Sequence, residues 1–336
     1  MTGALMIGHP ESEVISGTLA AVRQHGLEHK VLRANDVRQK FPGTFNLSDD
    51  EIAIWEKDAG YLVPESCIDA FQRCAERSGN ATLLFGDRMS SYSCTSDGVS
   101  VIMESGHVYQ AKKIVLCVGA WAPEVLGADV MRLVPLTVVR KVLTWLEPNL
   151  PILEADRSYE ATPTLFTSEA FEDSSCSFHH SKFPVYIWDT GKEGAFYGFP
   201  RQMRKVNTEN EGVKVAIHIM RQDLVANRQY VCNPSTIERN IDPLEIQEVR
   251  DILKDRMPSL AKGHLLKAVT CMYTCTADGH FWLDFHPLHG ENVIIASPCS
   301  GHGFKMATVI GEIVKELVTT GTTKHNISLF TTKRGI

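Results

Sequence analysis

Two stretches of alternating strand and helix signals, residues 60–122 and 269–317, bracket a long middle region whose apolar runs are mostly strand-like. That order constrains the fold more than any single motif does. Alternating strands and helices require a sheet covered by helices, whereas strand-like runs between polar loops require a mixed or antiparallel sheet. A chain that leaves the first pattern and later returns to it builds two domains and crosses between them more than once. The sequence therefore predicts one domain from 60–132 and 269–336, and a second from 1–59 and 133–268. At 336 residues there is material for both cores.

Within the first domain, Pro64-Glu65-Ser66 opens a helix over Cys67–Ser78, with Ile68, Phe71 and Ala75 on one face and Gly79 as its stop. Asn80–Phe85 reads as a strand, and Ser100–Glu104 and His107–Gln110 read as a hairpin about Ser105-Gly106. Ile114–Val118 reads as a buried strand that runs into Gly119-Ala120-Trp121, where a glycine at a helix start lets a backbone or ligand come close. Strands at Met272–Thr276, Phe281–Asp284 and Val293–Ala296 and a helix through Leu317 complete this part. In the second domain the patterns predict a strand over Thr2–Gly8 and a helix over Glu11–His25. Strands at Leu133–Thr144, Tyr186–Trp188, Ala195–Phe199 and Val213–Ile219 follow, with a helix at Pro243–Arg256. The Ser- and His-rich loop Phe171–Lys182 is expected to be mobile.

Several function classes drop out. A net charge of -6, without a long run of like charge, argues against a nucleic-acid or anionic-membrane surface. The longest apolar stretch, Ile114–Pro123, is too short to cross a bilayer, and the first residues do not read as a secretory signal. Nine cysteines, scattered and odd in number, read as reduced thiols. The closing Lys-Arg-Gly-Ile is not a peroxisomal Ser-Lys-Leu type tripeptide. The expectation is a soluble monomer, cytoplasmic or peroxisomal.

The densest polar cluster is Cys271, Cys275, His280, Asp284, His286, His289, Cys299 and His302. Cys-x3-Cys lacks a second tight ligand pair, and His280, Asp284 and His286 fall on alternating strand positions, so no metal is expected. No G-x-S-x-G, P-loop or H-E-x-x-H is present. Ser300-Gly301-His302-Gly303-Phe304-Lys305 is more specific. It lies between an apolar strand and a helix, where two glycines let N–H groups face an anion or simply make a tight turn. Met306 stands where a third glycine would complete G-x-G-x-x-G.

Together, Cys271-Met272-Tyr273-Thr274, His280-Phe281, Asp284, His286-Pro287 and the Ser300–Lys305 run resemble the monomeric sarcosine oxidase family. That family includes N-methyltryptophan oxidase and peroxisomal sarcosine/pipecolate oxidase, and the resemblance is nearest to the last. Thr2-Gly3, Gly60–Val63, Lys113–Trp121, Tyr197–Pro200, Gly212-Val213-Lys214 and His218 extend it along the chain. The resemblance implies an α/β (α+β), two-domain fold of the FAD-dependent amino-acid oxidase type: a truncated Rossmann-type FAD domain and a mixed-sheet substrate domain. It implies FAD, tethered through Cys271, and Gly119, Trp121, Ser300, Gly301, Gly303 and Phe304 as further cofactor contacts. Lys305 corresponds to the cation that binds the substrate carboxylate, and Lys214 to the lysine that promotes reaction with O2. Tyr197, His218, Tyr273 and His302 correspond to pocket residues, with His218 and Tyr273 also among the catalytic set.

The implied reaction oxidises an N-methyl or cyclic secondary amino acid, such as sarcosine or pipecolate, to the imine and reduces O2 to hydrogen peroxide. A small amino acid and O2 are the implied partners. The family's strand–G-x-G-x-x-G–helix unit has no complete match in this sequence, and its absence is expected to leave Ile114–Val118 short of neighbours and FAD short of phosphate contacts. The alternative reading is a catalytically silent relative that binds a small carboxylate or a partner chain.

Overall fold

β-Strands at Ala4–Gly8 (β1), Lys30–Arg33 (β2) and Ile52–Glu56 (β3) begin the chain, separated by helices at Glu13–His25 (α1) and Ala34–Lys40 (α2). The computed structural model describes residues 1–95, 97–149, 176–191, 194–201, 212–218 and 230–334. It divides into two units: residues 1–61, 142–220 and 239–271, and residues 62–141, 221–238 and 272–336. Among the described residues no helix is long and apolar enough to cross a membrane.

The first unit is built on a mixed sheet. After β1–β3 come Leu136–Glu147 (β8), Val185–Asp189 (β9), Ala195–Phe199 (β10), Val213–His218 (β11) and His264–Thr276 (β12), in the order β12-β8-β11-β10-β9-β1-β3-β2. β1 runs parallel to β9 and antiparallel to β3, while β10 is antiparallel to both β9 and β11. Because side chains alternate across a strand, one face collects Leu146, Tyr186, Trp188, Phe196, Val213 and Val215 into a core. Helices at Pro243–Leu253 (α5) and Pro258–Ala261 (α6) close it with Val249, Ile252, Leu253 and Leu260. The start of α5 is fixed by a reciprocal cap: Leu244 N–H donates to Asp242 Oδ1 at 2.9 Å, and Asp242 N–H to Glu245 Oε2 at 3.0 Å. Helix α1 ends as its Gly26 predicts, with φ 62°.

One core member is imperfect. The Tyr186 ring lies against Gly198, 2.6 Å from where a Cβ would stand, and its buried hydroxyl has no hydrogen-bond partner among the described residues. Burial pushes this phenol far above its ordinary pKa. Removing a buried, unpaired hydroxyl relieves a desolvation cost, so Tyr186→Phe is expected to stabilise the protein by about 1 kcal/mol. Urea unfolding checks this; a destabilised variant would mean that the hydroxyl has found a partner.

In the second unit, Ile114–Leu116 (β7), Trp282–His286 (β13) and Gly290–Ser297 (β14) form a sheet in the order β13-β14-β7, with β14 and β7 parallel. Strand β14 is buried on both faces. Val293 and Ile295 pack with Leu116 and with Leu126 and Val130 of Ala122–Met131 (α4), whereas Ile294 and Ala296 pack with Ile310, Ile313 and Leu317 of Ala307–Thr320 (α7). A second small sheet, Met89–Thr95 (β4), Gly98–Met103 (β5) and Val108–Ala111 (β6), contains the hairpin expected about Ser105-Gly106.

The mixed α/β architecture agrees with the expected fold class, and several elements differ in detail. Asn80–Phe85 forms no strand: the segment pairs with nothing among the described residues, and Leu84 and Phe85 are exposed. The expected helix appears at Pro64–Arg77 (α3), but it holds no buried residue, and Ile68 and Phe71 face solvent. The strand expected at Ile114–Val118 stops at Leu116, because Val118 has already turned into the 3₁₀ turn Gly119–Trp121. Residues 171–175 of the expected mobile loop, and Ile219 of an expected strand, lie outside the described residues.

Candidate active site

On the face of the first unit's sheet opposite its core, the antiparallel register places Lys214 directly between two aromatic residues. Lys214 is the cross-strand partner of Trp145 on β8 and of Phe199 on β10. Its Nζ lies 5.4 Å from the Trp145 ring and 5.1 Å from the Phe199 ring, within cation–π range of both. The same register puts Tyr197 and His218 on this face, their rings 6.2 Å apart edge-on. Tyr61 meets Phe199 edge-on at 6.2 Å. Lys214, Tyr197 and His218, named separately from the sequence, therefore share one half-buried face. Cys271 lies on β12 at the end of this unit, half-buried and in no disulfide.

The second unit holds the Ser300–Lys305 turn. Ser300 has φ 45°, unusual for a residue other than glycine, and Gly301 follows at 76°. Three hydrogen bonds hold that conformation: Ser300 N–H to Thr274 O at 2.8 Å, Ser300 hydroxyl to His280 O at 2.7 Å, and Thr276 N–H to Ser300 Oγ at 3.4 Å. Both glycines are required by packing. A Cβ on Gly301 would meet the Tyr273 ring at 2.7 Å, and one on Gly303 would meet Pro298 O at 1.5 Å. The chain then passes through the 3₁₀ turn Phe304–Met306 into α7. The His302 ring lies 4.9 Å from that of Phe281, tilted by 36°, and shares a 3.2 Å hydrogen bond with Gly279 O.

Lys305 is open to solvent by area, yet crowding by the chain lowers its ammonium pKa. Burial likewise lowers the His302 pKa, and the Lys305 charge adds to that effect. Trp121 is half-buried, and its indole N–H donates to Ser235 Oγ at 3.1 Å.

The Cys/His-rich stretch does not converge on a metal. Among the described residues no group of three or more His, Cys, Asp or Glu is placed to hold one. Burial pushes the Cys275 thiol up to about 11 and raises Cys117 and Cys299, which favours the protonated thiol at all three. His286 instead stacks on His289 at 4.4 Å, bonds Tyr92 through Nε2 at 3.3 Å, and accepts Leu288 N–H at Nδ1.

Burial first, and then the neighbouring His289, lowers the His286 pKa to about 4. The unfolded imidazole titrates near 6.5, so between these values the unfolded chain binds the extra proton. Stability is therefore present above about pH 6.5 and lost as pH falls through about 4, by roughly 2–3 kcal/mol. His286→Gln should flatten that acid limb in urea melts at pH 4 to 7; an unchanged slope would exclude His286 as its source.

Two features at the C-terminal ends of β7 and β14, the customary ligand edge of parallel strands, fit a bound nucleotide. Gly119 has φ 54° with open space where a Cβ would stand. At the end of β14, Ser297 Oγ is buried and has no partner of hydrogen-bond geometry among the described residues, although it lies near enough to the Cys299 thiol to favour the thiolate. The FAD dependent oxidoreductase family matches residues 1–317. The chain belongs to that family.

Among members of this FAD dependent oxidoreductase family, the chain is 36% identical to a monomeric sarcosine oxidase of Streptomyces avermitilis, over 99% of its own length and 76% of the relative's. It is 26% identical to N-methyl-L-tryptophan oxidase of Escherichia coli O81, over 94% of this chain and 72% of that one. The fold resembles that of L-proline dehydrogenase from P. horikoshii, with a TM-score of 0.74 at 19% identity, covering 99% of this chain and 76% of that structure. The resemblance noted from the sequence is thus to the right family.

Sequence reasoning missed Trp145 and Lys267, and it held Tyr61 only as part of the Gly60–Val63 match. Phe199 was present only as part of the Tyr-Gly-Phe-Pro match. The odd-numbered alternation Tyr197/Phe199 was a usable signal for one face, but which residue stands opposite Lys214 depends on strand register.

Proposed function

We propose that the protein oxidises secondary amino acids, N-methyl or cyclic, of the sarcosine and pipecolate type, giving the imine and hydrogen peroxide. The observation that supports this most is Lys214 in its row of aromatic rings, on the face that also carries Tyr197 and His218. Bound FAD would supply the acceptor for the hydride equivalent and the route of electrons to O2.

The chain's own residues bind and orient. The Lys305 ammonium receives the substrate carboxylate through a charge-assisted hydrogen bond. Beside it in the same unit, Tyr273 offers a ring edge to the apolar part of the substrate, and His302 offers an imidazole nitrogen to its polar part. His302, with its lowered pKa, is neutral near pH 7 and so adds no second cation beside Lys305. Lys214 presents a fixed positive charge where O2 takes on negative charge, the same logic as an oxyanion hole. Gly119, Ser297 and the Ser300–Phe304 turn would hold the nucleotide and ring, and the Cys271 thiol would supply a covalent tether.

The test is to load the protein with FAD, precipitate it in acid, and record the pellet's spectrum. Peroxide is then assayed with sarcosine, L-pipecolate and N-methyl-L-tryptophan. A flavin that stays with wild-type protein but washes from Cys271→Ser supports the tether. No retained flavin and no peroxide from any of the three substrates would favour the catalytically silent alternative.

A further inference from the structure

We propose that Trp145 and Lys267 are positioning residues for Lys214: the indole holds the Lys214 ammonium in place, and Lys267, seated on the same ring, holds the indole. The inference rests on the reading that Lys214 serves the oxygen reaction. Four adjacent strands carry the arrangement, in the order β12-β8-β11-β10. Lys267 of β12 lies 5.3 Å from the Trp145 ring of β8, and Lys214 of β11 lies 5.4 Å from that ring. On its other side Lys214 lies 5.1 Å from Phe199 of β10. Cation and aromatic ring thus alternate across the sheet, and Tyr61 against Phe199 closes the row.

The physical need is plain. A lysine ammonium rides on four rotatable bonds, and its charge can act at one point only if something fixes it. A cross-strand indole helps to do this by attracting the ammonium to its ring face. An indole engaged by one cation alone could still turn about its own side-chain bonds. A second ammonium on the same ring opposes that rotation, and the ring's negative face offsets the repulsion between the two like charges. Lys267 is exposed, so its bland alternative is a solvated charge that rests on Trp145 with no consequence for Lys214.

Reductive ¹³C-methylation of the full chain separates these. The Lys214 N-methyl signal, assigned by its loss in Lys214→Arg, is expected upfield of ordinary lysines because two rings shield it. Trp145→Leu should move it most of the way to the ordinary position, and Trp145→Phe should keep part of the shift. Lys267→Gln should move it partway, and Lys267→Arg should restore it. A Lys214 signal that ignores Lys267→Gln overturns the proposal.

A second readout is the reoxidation of reduced, FAD-loaded protein by O2. It is expected to slow about 10-fold in Trp145→Leu and about threefold in Lys267→Gln, with anaerobic reduction by substrate unchanged. Signal shifts without any change in reoxidation would uphold the positioning and refute the role given to Lys214.

Discussion

Lys305→Met is expected to raise KM for an amino-acid substrate about a hundredfold or more while leaving flavin retention intact. Lys305 sits in the turn before α7, at the helix end whose partial charge repels cations. Among the described residues no carboxylate pairs with it, and the surrounding chain already disfavours its charged form. A cation held against both effects contributes nothing evident to folding. Its charge becomes useful when a carboxylate arrives, because a charge-assisted ammonium–carboxylate contact is among the stronger hydrogen bonds. The thermal midpoint should therefore hold or rise in Lys305→Met, and Lys305→Arg should recover part of the affinity by keeping the charge. An unchanged KM in the methionine variant would remove Lys305 from the substrate site.

The parts of the fold legible in the sequence are those fixed by local chemistry. β10 matches its expected span because Ala195–Phe199 is bounded by turn residues, and α5 begins where Asp242 and Glu245 form their reciprocal cap. The Ser300–Lys305 turn was legible from its glycine spacing. Other elements are fixed by distant partners. β3 was missed because Ile52–Glu56 follows an acidic turn and gains its strand character from lying between β1 and β2. Leu83–Phe85 has strand propensity and no partner, so propensity alone misled. The core-facing Tyr186 and the outward Tyr197 look alike in sequence, and only pairing assigns them to opposite faces. Lys214 could be singled out as a residue, whereas its contacts with Trp145 and Lys267 depend on the register of strands far apart in the chain.

Gly303→Ala is expected to be far more damaging than its single added methyl suggests, costing about 3 kcal/mol or more. Gly303 has φ -78° and ψ -26°, a conformation any residue adopts, so alanine meets no backbone strain there. The cost is steric: the new Cβ would stand 1.5 Å from the Pro298 carbonyl oxygen and 2.6 Å from its carbon, backbone atoms that cannot rotate aside. Gly119 provides the opposite case. Its φ of 54° disfavours alanine, but open space surrounds the new methyl, so Gly119→Ala should cost only about 1 kcal/mol. The two variants thus separate crowding from conformational strain by urea unfolding. Relief of the Gly303 clash must also displace the Ser300 end of the turn, the Lys305 end, or both. Gly303→Ala is accordingly expected to lose substrate affinity even in the fraction that stays folded. If it proves as stable as Gly119→Ala, the turn does not pass beneath Pro298, and the placement of Lys305 fails with it.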